Sequence, residues 1–258
     1  FTAKHAGVVP LQLFLPLYAA AAMFLLDALP GRIKSLLMLA VVAAGGAWVA
    51  GDLEGLNRIF ALILVAGSVL VAVATLYRDD ARKGFFPLMT GLLLSLATLL
   101  TARTSLEFFF SWELMTLSSY LLVTLGRDAV KPALLYLLFS LGSAFLILAG
   151  FAVAFAATGS IALSALGSAG DAVPWIFSLL ALGFVIKAGG FGFHIWLPGS
   201  YTEADDDTTA ILSAVMSKAS VFGLLMVAAQ LGVRADIGLD PAYVLGWIGI
   251  LTATFGAL

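Results

Sequence analysis

Four side chains of this sequence stand where ionisable groups are costly. Glu113, Lys187, His194 and Lys218 all fall within or at the edge of long apolar runs. A charge at the centre of a membrane helix costs about 2.5–3.5 kcal/mol on insertion scales. Groups kept at that cost are functional candidates, and a carboxylate, two amines and an imidazole can pass protons between them. Each also has a plainer reading.

Glu113 lies in Phe108-Phe109-Phe110-Ser111-Trp112-Glu113-Leu114, with Thr116 and Tyr120 following at helical spacing, so its helix face is partly polar. The plainer reading is a structural hydrogen bond to a neighbouring helix. Lys187 is followed by Gly189, Gly190 and Gly192. These glycines weaken the helix just beyond the lysine. Broken backbone at membrane depth survives only where protein or a wet cavity shelters it, and transporters build ion sites from such breaks. Snorkelling of Lys187 to an interface fits poorly, because the apolar run extends to both sides of it. His194 follows Lys187 by about two turns and would share its face in a continuous helix. Trp196, Pro198 and an acidic segment come next, so an interfacial histidine bonded to backbone competes with a relay. Lys218 has Ala214 and Phe222 one turn away, so its own helix offers no counter-charge. This makes it a candidate proton carrier, against the alternative of a fixed ion pair with another helix.

Other charges read as peripheral. Glu107, Asp128 and Asp27 fall at span ends. The cluster Glu203, Asp205, Asp206 and Asp207 can be a cation-collecting mouth or a solvated loop in which Asp207 N-caps the next helix.

The elements that must hold these groups are membrane helices. The chain is 62% hydrophobic and 11% charged, with a mean hydropathy of +1.10. Soluble domains average roughly 45–50% apolar and about 25% charged. A spanning helix needs about 20 mostly apolar residues. Nine stretches approach this: 8–29, 33–50, 57–77, 85–102, 105–125, 132–157, 174–197, 208–231 and 243–258. The runs are continuous rather than alternating, which favours helices over strands. The fold class expected is therefore an all-α polytopic transmembrane bundle of about nine spans. Two connections are longer, 159–171 and 198–207.

Loops after spans one, three, five and seven hold Arg32, Lys34, Arg78, Arg82, Lys83, Arg127 and Lys131. The opposite side holds Lys4, Arg58, Arg103 and Arg234. The positive-inside rule then puts the first set in the cytoplasm and the N-terminus outside. No cleavable signal peptide is expected. The last run reaches Leu258 without a polar flank and the first residue is Phe1, so the sequence reads as a piece of a longer chain.

There are no cysteines and only two histidines, His5 and His194. The lack of cysteine excludes disulfides and cysteine-ligated iron–sulfur clusters within the chain, and no cofactor is expected in it. The net charge of −2, without a basic patch, leaves no nucleic-acid partner. No nucleophile–base pair or phosphate loop is evident, and the glycines at 189–192 lack the strand context of a nucleotide site.

The segment Ser111-Trp112-Glu113-Leu114-Met115-Thr116-Leu117-Ser118-Ser119-Tyr120-Leu121-Leu122 resembles the fifth-helix motif of the antiporter-like subunits of respiratory complex I. That family includes membrane-bound hydrogenases and multisubunit cation/proton antiporters. Lys187 through Pro198, ending in His194-Ile195-Trp196-Leu197-Pro198, resembles the family's broken seventh helix. Glu203-Ala204, Leu212-Ser213-Ala214-Val215 and Ser217-Lys218-Ala219 continue the likeness into the eighth. It covers roughly 85–258. Where the family usually has a Pro-Thr-Pro-like turn, this sequence has Asp205-Asp206-Asp207-Thr208, which is more similar to hydrogenase-type and antiporter-type relatives.

The resemblance implies a non-catalytic transport subunit of a redox-driven translocase, NADH-quinone oxidoreductase-like or hydrogenase-like. Its partners would be other membrane subunits, in a bacterial or archaeal cytoplasmic membrane. It implies an N-terminal three-helix segment (1–84), a first five-helix antiporter-like repeat (85–231) with a broken seventh helix, and the start of a second, inverted repeat (232–258). It also implies roles: Glu113 modulates Lys187, Lys187 is the switched proton carrier, His194 a relay and Lys218 the central hand-off. Opening or closing the Glu–Lys pair changes the lysine's proton affinity. Two alternatives remain: a subunit of a multisubunit sodium/proton antiporter, favoured by the acidic stretch, and a non-transporting scaffold.

Overall fold

The computed structural model describes residues 11–52, 55–76, 82–232 and 241–257. They form a helical bundle. In chain order the helices are α1 (Leu15–Leu25), α2 (Gly31–Asp52), α3 (Gly55–Leu76), α4 (Phe85–Thr101), α5 (Ser105–Thr124), α6 (Val130–Thr158), α7 (Val173–Ala188), α8 (Trp196–Glu203), α9 (Asp206–Ile211), α10 (Ser217–Leu231) and α11 (Pro241–Gly256). Short 3-10 turns precede α1 and α7, and a π-helical turn, Leu212–Met216, joins α9 to α10.

Among the described residues four helical runs are long and apolar enough to cross a membrane: Gly55–Leu76, Val130–Thr158, Gly170–Ala188 and Asp206–Leu231. Leu15–Leu25, Phe85–Thr101 and Tyr243–Gly256 are shorter apolar helices. The count of helices exceeds the nine expected spans because two spans are interrupted. The seventh, expected over 174–197, stops at Ala188, where Gly189 adopts φ 70° and ends the helix. The backbone turns through Phe191–Ile195 and restarts as α8. The eighth is broken up by the π-turn.

The connection expected over 198–207 is mostly helical. Pro198 falls in the first turn of α8, where a missing N–H costs no hydrogen bond. Asp205, not Asp207, is the N-cap residue of α9, with φ −61° and ψ 150°, while Asp207 lies inside the helix. The connection over 159–171 holds two 3-10 turns.

The middle of the bundle is α4. Every residue from Phe85 to Leu100 except Leu88 is buried, beneath α1, α2, α3 and α5. Phe108, Trp112, Phe151 and Phe184 form an aromatic core between α5, α6 and α7, with ring centroids 5.2–6.0 Å apart. Exposed Phe145, Trp175 and Leu70 face outward, as lipid-facing side chains do. The packing of α7 on α6 is close: Ser143 Oγ donates to the Gly183 carbonyl at 2.7 Å, and a Cβ on Gly183 would stand 2.8 Å from Ile147. Small residues at such contacts let membrane helices approach.

The connections sort to two ends of the bundle. At one end, Gly84 N–H donates to Asp27, Arg82 bridges Asp205 and Asp207, and Gly126 lies against the backbone of Glu203 and Ala204. This gathers the loops after α1, α3, α5 and α8. At the other end, Asn57 donates to the Leu100 carbonyl and Thr104 pairs with Ala162. The alternation expected from the spans is therefore present. The charge tally is less simple. Lys34 is not a loop residue but lies in the first turn of α2, 3% exposed and paired with Asp27 at 3.0 Å. Lys4, His5, Arg78 and Arg234 lie outside the described residues.

Candidate proton-transfer site

The break after Ala188 places Lys187 on the last turn of α7. Its side chain runs back into the bundle and is 2% exposed. The Nζ donates to Tyr136 Oη at 2.8 Å, Ser140 Oγ at 2.8 Å and Thr116 Oγ1 at 3.3 Å. An ammonium has three N–H donors, and all three are used. It also lies 4.3 Å from the centroid of the Tyr136 ring, within cation–π range. Hydrogen bonds to a charged group are worth about 1.5–3 kcal/mol each. This cage of hydroxyls offsets the burial of a charge that sits on no counter-ion.

The carboxylate expected to pair with it is close but not bonded. Glu113 lies on α5 one turn before Thr116. Thr116 is itself a partner of Lys187 Nζ, yet among the described residues no ion pair reaches Lys187. Glu113 Oε1 is shut away from solvent and has no hydrogen-bond partner among the described residues. A buried acceptor without a donor carries a desolvation cost. The two groups thus form an opened pair, with the lysine held by hydroxyls and one carboxylate oxygen, Oε1, unsatisfied.

Tyr136 anchors the cage. It is fully buried, its ring packs edge-on against Trp196 at 5.1 Å, and Trp196 Nε1 donates to the Ile186 carbonyl at 3.2 Å. The phenol oxygen also meets Ser119 Oγ at 2.5 Å and donates to Met216 Sδ at 3.4 Å. Sequence reasoning did not single out Tyr136, Ser140 or Ser119. The signal was there for α6: Tyr136, Ser140 and Ser143 repeat at helical spacing and make one polar stripe on an apolar helix.

The other candidates stand apart. His194 lies beyond the break, so it does not share a helix face with Lys187. Its ring stacks near Phe191 and lies 5.3 Å from that of Phe255 on α11. The α11 segment is tied there by Phe191 N–H donating to Thr252 Oγ1 at 2.8 Å. Lys218 is exposed rather than buried in this chain. Its Nζ donates to the Ser213 carbonyl at 2.9 Å and to Ser217 Oγ at 3.2 Å. The π-turn makes this possible. Ser217 N–H bonds Leu212 O, one residue further back than in an α-helix, which leaves the Ser213 carbonyl for side-chain donors.

In the acidic segment, Arg82 holds Asp205 and Asp207 together and lies 4.1 Å from the Phe85 ring. One arginine thus bridges two of the four acids and offsets one of their two negative charges. Glu107, expected at a span end, forms a capping box with Thr104 at the start of α5. Among the described residues no three His, Asp or Glu side chains cluster as metal ligands.

The profile of the family described as "NADH:quinone oxidoreductase/Mrp antiporter, TM" matches residues 102–258. The chain belongs to that family. Hydrogenase-4 component B of Escherichia coli is 28% identical over 218 residues, covering 79% of this chain and 31% of that protein. A putative antiporter subunit mnhA2 of Staphylococcus saprophyticus is 27% identical over 219 residues, covering 80% of this chain and 27% of that protein. The chain thus spans about a third or less of the length of these relatives. In structure it is similar to a chain of respiratory complex I from Thermus thermophilus, with a TM-score of 0.73 and 25% identity over 84% of this chain and 53% of that one. It shares its fold with a chain of an archaeal membrane-bound sulfane sulfur reductase, with a TM-score of 0.78 and 18% identity over 95% of this chain and 57% of that one. The chain has an antiporter-like membrane fold, and its structural neighbours are subunits of multisubunit membrane complexes.

Proposed function

We propose that the chain is part of a proton-translocating subunit of a redox-driven complex, of the complex I or hydrogenase type. The observation that carries this reading is the opened pair: a buried lysine amine on hydroxyls, and on the adjoining helix a half-buried Glu113 whose Oε1 is enclosed and without a hydrogen-bond partner among the described residues. Hydroxyls hold the lysine by dipoles alone. They leave it able to give up its proton or to return to Glu113, at modest difference in energy. A fixed ion pair would do neither. In this reading Glu113 modulates Lys187, Lys187 is the switched carrier, His194 relays near the helix break and Lys218 receives the proton further along. Residues 1–84 form an N-terminal three-helix segment, 85–231 one antiporter-like repeat and 232–258 the start of another. The N-terminus faces outward, away from the cytoplasm, and partner membrane subunits complete the path.

The likeness to Mrp-type subunits favours a second reading, sodium/proton antiport. The Arg82 bridge counts against the acidic segment as its cation mouth. The test is proton uptake by inverted vesicles carrying the assembled complex, with and without sodium, and with the redox substrate present or withheld. Uptake that follows redox turnover and needs no sodium supports the first reading. Uptake that needs sodium and ignores the redox substrate supports the second. If an assembled Lys187→Ala complex stays fully coupled, the chain is a scaffold.

A further inference from the structure

The phenol of Tyr136 touches more than Lys187. Its oxygen stands between Lys187 Nζ at 2.8 Å, Ser119 Oγ at 2.5 Å and Met216 Sδ at 3.4 Å. A phenol has one proton to donate and two lone pairs to accept with. Lys187 fills one lone pair. Ser119 can fill the other, or turn its own proton to the Met115 carbonyl 2.8 Å away. When Ser119 donates to the phenol, the phenolic proton is free for Met216. Met216 closes the π-turn Leu212–Met216, and that same turn presents the Ser213 carbonyl to Lys218. One chain of contacts thus runs from the Lys187 ammonium through Tyr136 and Met216 to the backbone that seats Lys218.

We propose that Tyr136 is a positioning residue that couples the seat of Lys187 to the π-turn beneath Lys218. When the Lys187 ammonium leaves the phenol for Glu113, the phenol loses a donor and turns its bonding toward Ser119. Its hold on Met216 then weakens, and the π-turn loosens under Lys218. The two lysines are linked through one movable element rather than through a fixed wire. Packing makes the element two-state: the Tyr136 ring is clamped edge-on by Trp196, so only its hydrogen bonds can change. The inference rests on the transport reading above for its purpose, but its physical content is separate.

The test is hydrogen–deuterium exchange of the backbone of residues 212–218 in the assembled complex, with proton uptake per electron measured alongside. Lys187→Met and Tyr136→Phe are each expected to speed exchange there several-fold, and the double variant no more than either alone. Met216→Leu keeps the volume but removes the sulfur. It should speed exchange to the same degree and make exchange insensitive to Lys187→Met, and it carries the test alone if Tyr136→Phe does not assemble. Exchange unmoved by Lys187→Met, or effects that multiply independently, would overturn the coupling. If Lys187→Met ends proton uptake without touching exchange, the transport reading stands and the coupling falls. If exchange responds as described while uptake per electron is unchanged, the coupling stands and the transport reading falls.

Discussion

Lys187 and Lys218 lie on neighbouring helices of one bundle and are held in opposite ways. Lys187 is 2% exposed, and its three partners come from two other helices, α5 and α6. Lys218 is exposed, and both of its partners come from its own polypeptide within five residues. A third lysine, Lys34, shows the ordinary arrangement for a buried amine: one aspartate at 3.0 Å. The difference teaches where the strain of holding charge is kept. Lys34 is paired with a carboxylate, Lys218 uses a carbonyl that the π-turn releases, and Lys187 alone of the three is buried without a bonded counter-ion. Of the three, Lys187 is the one with an uncommitted acceptor on an adjoining helix: Glu113 Oε1, one turn before Thr116, has no hydrogen-bond partner among the described residues.

Substitutions can break or sharpen this contrast. The largest effect on stability is expected from Tyr136→Phe, which removes the oxygen at the centre of the cage. It should destabilise the bundle by about 1.5–3 kcal/mol, the worth of a hydrogen bond to a charge, read as a lowered thermal midpoint of the purified complex. An unchanged midpoint would mean that the cage does not hold the ammonium. Gly183→Ala comes next. Its Cβ would meet Ile147 Cγ1 at 2.8 Å and the Ser143 carbonyl at 2.9 Å, so α7 must shift away from α6 and carry Lys187 off Ser140. Overpacking of this kind costs about 1–3 kcal/mol, and proton uptake should fall with the midpoint. Lys218→Met should move the midpoint least, by no more than about 0.5 kcal/mol, as for exposed positions without special contacts. A large loss there would show that Lys218 is enclosed in the full complex and would bring the two lysines closer in kind.

Much of this contrast was legible in the sequence, and part was not. The apolar runs, the break after Lys187 and the burial of Lys187 follow from hydropathy and from Gly189, whose left-handed φ only glycine adopts freely. The cage was not read, because α6 looks like an uninterrupted apolar span and its Tyr136–Ser140–Ser143 stripe is short of charges. The exposure of Lys218 was not read either. Apolar neighbours one turn away suggest burial in a regular helix, and a π-turn leaves no mark in composition. The Arg82 bridge joins residues more than a hundred positions apart, and pairing at that range is set by tertiary packing. The Thr104–Glu107 capping box is a local pattern and could have been found from spacing alone.

The central claim is that Lys187 is a switched charge on the proton path. The direct measurement is protons moved per electron by inverted vesicles carrying the assembled complex, before and after Lys187→Ala, with the redox rate recorded in parallel. The account predicts that the proton gradient per electron collapses while the complex remains assembled. An unchanged ratio in an assembled Lys187→Ala complex would contradict it and remove the caged lysine from the mechanism.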